Sequence, residues 1–308
     1  MRSSFVCFVC FVVALSFLGC RRAAPPADFV DWHAVALPPH GALQPSPRAV
    51  HLGHDGKLYV LDTAGRVLVL DPRTFAPLAV WWMPEFSVGR PEGLCLLRDG
   101  RLAIADTHYH RVVLLDAAGQ VDAMFGTFGQ GPGEFIYPIS IDENAEGQLF
   151  VAEYGSNDRV QVFDAKGTFQ RAFSAFGRGK EDLQRPAGLR LLDGKVFVAD
   201  ALNHRVQVFR EDGTHLASFP PGGGGDLYLP YDLSPEADGG VTVVEYGNGR
   251  LSRFMANGSV RRLGSIGGGI GQFRTPWGMD AREGWVVVAD TGNRRLAGFR
   301  WAGPEAQP

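Results

Sequence analysis

Short apolar runs alternate with polar, glycine-containing turns along most of the chain. In VADALNHRVQVF, Val198 to Phe209, one run ends at an acid, and the next begins directly after an arginine. Short apolar runs bounded by turn residues are typical of β-strands joined in hairpins. The pattern therefore predicts an all-β chain.

This hairpin pattern occurs six times at a nearly constant period. The acids that end the first run of each pair are 44 to 47 residues apart, and an arginine follows each acid after four to six residues. The acids are Asp62, Asp106, Glu153, Asp200, Glu245 and Asp290. The arginines are Arg66, Arg111, Arg159, Arg205, Arg250 and Arg295. A repeat of this length indicates a tandem-repeat fold.

A proline lies 14 or 15 residues before each acid, and these landmark prolines are Pro47, Pro91, Pro138, Pro186, Pro230 and Pro276. Each repeat holds four apolar runs, and a glycine-rich connector leads from the fourth run to the next landmark proline. Four short strands per repeat are typical of a propeller blade. Six repeats therefore predict a six-bladed β-propeller of four-stranded antiparallel blades, because each sheet needs neighbours to bury its faces.

The sixth repeat lacks a fourth run before the final segment WAGPEAQP. The run from Phe29 to Leu37 precedes the first complete repeat and has strand character. We expect this N-terminal strand to complete blade six, which would close the ring and remove an exposed edge. The predicted domain covers residues 28–301, with a tether at residues 21–27 and a tail at residues 302–308.

The first twenty residues resemble a bacterial lipoprotein signal. Arg2 precedes an apolar run from Phe5 to Leu18, which is shorter than a membrane span, and Gly19-Cys20 follows. This resemblance implies cleavage before Cys20, lipidation of Cys20 and an exported protein held at the cell envelope. A plain signal peptide and a short uncleaved anchor are the alternatives. The formal net charge of -3 disfavours nucleic acid as a partner, since such binding requires cations to neutralise phosphates.

The repeats resemble NHL repeats. The resemblance rests on connectors such as GTFGQGPGEFIYP and on VADALNHRVQVF and VADTGNRRLAGF, and it covers about residues 45 to 300. It implies a six-bladed propeller, a fold shared by RNA- and protein-binding modules, sensor ectodomains and an amidating lyase that uses zinc. Similar six-bladed folds include calcium-dependent lactonases. Because one fold hosts many functions, the resemblance indicates the fold and leaves the activity open.

A ligand site is expected where the inner strands begin. The residue after each landmark proline should surround the mouth of the central channel, and these mouth residues are Arg48, Glu92, Ile139, Ala187, Tyr231 and Trp277. Six tyrosines are expected in loops on the same face: Tyr109, Tyr137, Tyr154, Tyr228, Tyr231 and Tyr246. Tyrosine combines a flat apolar ring with a polar tip and suits binding surfaces. The alternatives are aromatic packing at blade junctions and a simple Arg48–Glu92 ion pair.

The predicted function is a binding module for a protein, a peptide or a small polar ligand. The predicted ligand-binding residues are Arg48, Glu92, Tyr137, Tyr154, Tyr231, Tyr246 and Trp277. One alternative is a metal-dependent hydrolase or lyase, for which His108, His110, Glu92 and Asp232 offer few donors. A scaffold without a ligand is the other. No cofactor is predicted, and zinc and calcium remain open under the enzyme alternative.

Overall fold

The computed structural model describes residues 28–220 and 227–301. The predicted signal peptide with Cys20, the tether and the tail lie outside these residues. The helical segments of the described part are three single-turn 3-10 helices. No helix among them is long and apolar enough to cross a bilayer.

Six four-stranded antiparallel sheets make up the described fold, which confirms the predicted six-bladed propeller. The strands are β1 (Phe29–Ala36), β2 (Pro47–Leu52), β3 (Leu58–Asp62), β4 (Arg66–Leu70), β5 (Pro77–Trp82), β6 (Gly93–Leu96), β7 (Leu102–Asp106), β8 (Arg111–Leu115), β9 (Val121–Phe125), β10 (Tyr137–Glu143), β11 (Leu149–Tyr154), β12 (Arg159–Phe163), β13 (Phe169–Phe173), β14 (Pro186–Leu192), β15 (Lys195–Asp200), β16 (Arg205–Arg210), β17 (His215–Phe219), β18 (Pro230–Pro235), β19 (Val241–Glu245), β20 (Arg250–Phe254), β21 (Val260–Leu263), β22 (Ser265–Ile266), β23 (Gln272–Phe273), β24 (Gly278–Arg282), β25 (Trp285–Asp290) and β26 (Arg295–Trp301). Blades 1 to 5 are β2–β5, β6–β9, β10–β13, β14–β17 and β18–β21.

Blade 6 is completed by the N-terminal strand, as predicted. Its strand order is β1-β26-β25-β24, and β1 pairs antiparallel with β26 from Phe29 opposite Trp301 to Ala36 opposite Arg295. Phe29 is buried, and its ring lies 4.9 Å from that of Phe299. The first and last strands of the propeller therefore share one sheet, and the ring closes through hydrogen bonds and ring packing.

Apolar clusters fill the space between neighbouring blades, with one cluster at each of the six junctions. At the junction of blades 3 and 4, Phe150 and Val160 pack with Leu189, Val198 and Phe209. Each of these side chains is fully buried. The alternating apolar positions of the inner strands thus form the core by packing sheet against sheet.

The repeated acid and arginine form a buried ion pair in every blade. The six nitrogen–oxygen distances lie between 2.7 and 2.9 Å, and all six acids are inaccessible to solvent. In blade 4, Asp200 also accepts the N–H of Gln184 at 2.7 Å, and Arg205 donates to the carbonyl oxygen of Gly179 at 2.7 Å. The pair therefore fixes the connector that enters the same blade, which is a structural role.

Three of these acid-to-arginine turns contain a 3-10 helix, at Thr107–Tyr109, Ala201–Asn203 and Thr291–Asn293. Each helix is followed by a residue with a left-handed backbone, namely His110, His204 or Arg294. The sequence predicted a polar turn here without its helical form. The short parallel pair β22–β23 within the last connector was also not predicted.

Ring closure can be tested by truncating Phe29. Phe29→Ala should lower the free energy of unfolding by about 3–5 kcal/mol, because it removes a buried ring from the closing strand. Val30→Ala is the matched control, since Val30 lies on the same strand and is exposed. Equal effects of the two substitutions in guanidinium unfolding would contradict this account of closure.

Candidate binding site at the mouth of the central channel

The mouth residues lie where the inner strands are irregular. In blades 1, 3, 4 and 5 the pairing register shifts between the landmark proline and the second residue after it. The residue in between is an unpaired bulge, and a bulge re-aims its side chain. The residues placed in this way are Arg48, Ile139, Ala187 and Tyr231. In blades 2 and 6, Glu92 and Trp277 lie directly before β6 and β24.

The inner strands approach one another closely just below the mouth. A Cβ added to Gly93 would lie 2.3 Å from the carbonyl oxygen of Ile139 in the next blade, and one added to Gly278 would lie 2.9 Å from that of Arg48. Only glycine allows this approach at these positions. The cavity beneath has a volume of about 10 Å³ and is lined by five of the mouth residues, all except Ile139. This volume is close to that of one water molecule, so the channel is nearly closed here.

Arg48 and Glu92 form an ion pair across neighbouring blades, with Arg48 Nη2 3.5 Å from Glu92 Oε1. The Arg48 guanidinium also lies 4.0 Å from the centre of the Trp277 ring. Cation–π contact of this kind holds an arginine in place without using its N–H donors. The predicted pair is therefore present, and Trp277 orients it.

Aromatic rings form two groups beside this ion pair. Tyr231 stacks on Tyr246 with ring centres 4.5 Å apart, and Trp277 meets both rings edge-on at 5.0 and 5.7 Å. Tyr137 stacks on Tyr154 at 5.1 Å. The structure thus brings together all five predicted aromatic site residues in two contact groups.

Arg185 connects the two aromatic groups, although the sequence analysis did not identify it as a site residue. Its guanidinium lies 4.6 Å from the ring centre of Tyr154 and 5.7 Å from that of Tyr231. Arg185 has a left-handed backbone, with φ of 54°, and directly precedes the landmark proline Pro186. In the sequence, only the position of Arg185 directly before a landmark proline pointed to it. Its stacking on the two tyrosines could not be predicted, because it depends on the fold.

Burial shifts the acid–base properties of the mouth. Burial raises the pKa of Glu92, and the nearby positive charge of Arg48 offsets part of this effect. Burial also raises the pKa of Tyr154 to about 12, with a further contribution from the Glu92 carboxylate. Tyr154 is therefore a neutral phenol near neutral pH, and Glu92 accepts a proton more readily than an exposed glutamate.

Several buried polar atoms at the mouth have no hydrogen-bond partner in the protein. These atoms are Arg48 Nε, Glu92 Oε2 and Arg185 Nε, together with Arg190 Nε on the inner strand below. Four of the eight such side-chain atoms found in the described residues belong to this one region. Buried polar groups are nearly always paired, so this clustering indicates that a non-protein group satisfies them.

The deeper acids of the inner strands are fully used in joining blades. Asp142 accepts the N–H of Leu191 at 2.7 Å, and Asp280 accepts that of Leu52 at 2.8 Å, each from the following blade. Asp232, considered above for calcium, bridges to Met279 N–H at 3.1 Å and pairs with Arg190 at 3.2 Å. Burial raises the pKa of Asp232 to about 6, although Arg190 opposes the shift. These contacts identify the acids as structural.

The tyrosine positions differ in part from the prediction. Tyr137, Tyr154 and Tyr231 were expected in loops, but they lie in β10, β11 and β18. The strands extend further towards the mouth than the apolar runs indicated: Tyr137 pairs with Tyr154 at the end of β10 and β11, and Tyr231 is the bulge residue of β18. Of the others, Tyr109 accepts the N–H of Val88 at 3.0 Å and Tyr228 packs on His204, so both support connectors.

The side chains in the described part of the chain do not fit a zinc site. Within residues 28–220 and 227–301, no group of three or more His, Cys, Asp or Glu side chains is arranged to hold a metal ion. His108 Nδ1 lies 3.1 Å from the carbonyl oxygen of Arg90, and His110 Nδ1 contacts that of Ile136. Glu92 is engaged by Arg48. Zinc sites use three or four protein ligands, and this donor set falls short.

Comparison with known proteins matches one repeat to a family and the whole fold to several enzymes. The profile of the NHL repeat matches residues 183–209. The protein brain tumor of Drosophila melanogaster is 27% identical over 138 residues, which cover 44% of this chain and 13% of that protein. A probable peptidyl-alpha-hydroxyglycine alpha-amidating lyase of Caenorhabditis elegans is 32% identical over 136 residues, which cover 41% of this chain and 39% of that protein. The chain thus spans well under half of either relative.

Two solved structures share the fold at low sequence identity. A streptogramin B lyase structure has a TM-score of 0.63 at 13% identity and covers 89% of this chain and 98% of its own. A gluconolactonase of Xanthomonas campestris has a TM-score of 0.64 at 17% identity and covers 90% of this chain and 92% of its own. These similarities show the propeller fold alone.

Proposed function

We propose that the protein is a binding propeller whose ligand, a protein, a peptide or a small polar molecule, contacts the mouth. The ligand-binding residues in this proposal are those predicted from the sequence, namely Arg48, Glu92, Tyr137, Tyr154, Tyr231, Tyr246 and Trp277, with Arg185 added. No nucleic acid is expected as a partner, because the chain carries a formal net charge of -3.

The observation that supports binding at the mouth is the cluster of unpartnered polar atoms beside aromatic rings. A group that only joined blades would have its donors and acceptors paired, as Asp142 and Asp280 do. At the mouth, Glu92 Oε2 is buried and free while Glu92 Oε1 faces Arg48. Binding sites combine apolar rings with a few convergent polar groups in this way. The nearly closed channel keeps the ligand on the mouth face.

Ligand binding at the mouth can be tested with a matched pair of variants. In a thermal-shift screen of metabolite and peptide collections, a true ligand should raise the Tm of the wild type by about 2 °C or more. Trp277→Ala should lose this shift, because it removes the ring that orients Arg48. Phe128→Ala should keep it, since Phe128 is an exposed connector residue. A ligand that stabilises all three proteins equally would bind elsewhere and contradict the proposal.

A metal-dependent hydrolase or lyase is the second candidate function. Its support is the fold shared with lyases and a gluconolactonase, together with the raised pKa of Glu92, which suits proton transfer. The described residues hold no group of three or more His, Cys, Asp or Glu side chains placed to bind a metal ion, so no step is assigned to a metal.

Metal analysis separates the two candidates. Under the binding proposal, the purified protein should contain no stoichiometric zinc or calcium. Glu92→Ala should then leave the metal content unchanged at background level. One equivalent of either metal in the wild type, lost in Glu92→Ala, would favour the enzyme and contradict the binding proposal.

We also propose that the protein is exported and anchored to the cell envelope through lipid on Cys20. The support is the arrangement of an apolar run from Phe5 to Leu18 followed by Gly19-Cys20. The intact mass of the mature protein tests this. A diacylglyceryl-modified N-terminal Cys20 is expected, whereas an unmodified N-terminus at another residue would contradict the anchor.

A further inference from the structure

We propose that the group recognised at the mouth is a carboxylate, carried by a ligand with a flat apolar part. This inference rests on the proposed binding function and names the chemical class of its ligand. It follows from the charges, the stacking geometry and the unpartnered atoms of the mouth.

The hydrogen-bonding groups left at the mouth favour an acceptor such as a carboxylate. Arg48 and Arg185 are permanently cationic. Both interact electrostatically with Glu92, and Arg185 also interacts with the buried Asp158, which accepts its backbone N–H. Arg190 below pairs with Asp232 at 3.2 Å. The unpartnered donors Arg48 Nε, Arg185 Nε and Arg190 Nε outnumber the one unpartnered acceptor, Glu92 Oε2, and an incoming carboxylate would supply acceptors for them.

Both arginines are held in place before any ligand arrives. Arg48 lies on Trp277, and Arg185 lies between Tyr154 and Tyr231. A stacked guanidinium keeps its N–H donors in its own plane, where they match the two oxygens of a carboxylate. The side-chain entropy lost on binding is therefore small, because the rings already restrict both side chains.

The same stacking argues against a cationic ligand. One face of Trp277 and one face of Tyr154 already carry the protein's own guanidiniums. A cation would have to displace an arginine and would meet the positive charge that remains. The Tyr246 ring, which packs against Tyr231 and Trp277 without a guanidinium contact, offers apolar area for the flat part of the ligand.

The unpartnered atoms indicate where the carboxylate acts. Arg48 Nε and Arg190 Nε are donors and Glu92 Oε2 is an acceptor, and the three residues line the same cavity of about 10 Å³. A cavity of this size holds one water molecule with polar partners on several sides. A carboxylate at the mouth can accept from the arginines directly and reach Glu92 through that water, which requires no movement of the closed channel below.

Three ligands that share a benzene ring and differ in charge test the carboxylate. Benzoate, benzamide and benzylamine would be titrated into the purified full chain by calorimetry at neutral pH. Benzoate should bind with a Kd of about 1 mM or below, and the other two should bind at least tenfold more weakly. Inorganic phosphate serves as a second anion of different shape and should also bind at least tenfold more weakly than benzoate.

Two variants locate the binding. Arg185→Gln should weaken benzoate at least tenfold, with its Tm measured to confirm folding. Arg210→Gln is the control and should bind benzoate unchanged, since Arg210 is exposed and lies at the end of β16 opposite to the Asp200–Arg205 turn. If Arg185→Gln fails to fold, Glu92→Gln provides the second measure and should bind benzoate at least as tightly as the wild type, because it removes the competing negative charge.

N-acetylphenylalanine and its C-terminal amide distinguish two sources of the carboxylate, a peptide C-terminus and a small aromatic acid. Tighter binding of the free acid than of benzoate would indicate a peptide C-terminus, and weaker binding would indicate a small aromatic acid. Tighter binding of benzamide, benzylamine or phosphate than of benzoate would overturn the proposal of a carboxylate ligand. The absence of binding heat from benzoate up to about 100 mM would overturn it as well. The proposed function would survive that result if another ligand still required Trp277.

Discussion

The structure depends on burying six inner strands against one another around an axis with almost no free space. Every polar group that these strands place at the axis needs a hydrogen-bond partner across a blade junction, because a buried polar group without a partner lowers the stability of the fold. Asp142 and Asp280 solve this by accepting backbone N–H groups of the next blade. Gly93 and Gly278 let the neighbouring backbones approach closely, because no side chain stands between them.

The mouth is where this requirement is no longer met within the protein. Bulges re-aim the residues after four of the landmark prolines, while Glu92 and Trp277 lie directly before β6 and β24. Arg48 and Glu92 pair only in part, so Arg48 Nε and Glu92 Oε2 stay free while buried. Stacked rings hold the arginines in position. The features that close the channel below therefore also leave an organised, charged and aromatic surface above it, which is why binding is the function that the geometry supports best.

Much of the fold could be predicted from the sequence because its signals are local and repeated. The acid–arginine spacing indicates a turn, and the landmark proline indicates the start of an inner strand. Both patterns occur once in each blade. The closing role of Phe29 followed from the missing fourth strand of the last repeat. Strand ends were less accurate, as Tyr137 and Tyr154 show, because a tyrosine can continue a strand or begin a loop with equal ease.

The candidate site was predicted only in outline. Position after a proline was enough to select Arg48, Glu92 and Trp277, since strand register fixes which residues face the axis. Arg185 was missed because its contacts with Tyr154 and Tyr231 join blades 3, 4 and 5 and leave no local pattern. The unpartnered atoms could not be predicted either, since a missing hydrogen bond depends on every neighbour in space.

A near-atomic-resolution crystal structure of the ligand-free protein tests the central claim most directly. The account predicts ordered non-protein density in the cavity beneath the mouth, within hydrogen-bond distance of Arg48 Nε and Glu92 Oε2. An empty cavity, with both atoms bonded instead to other protein groups, would contradict it.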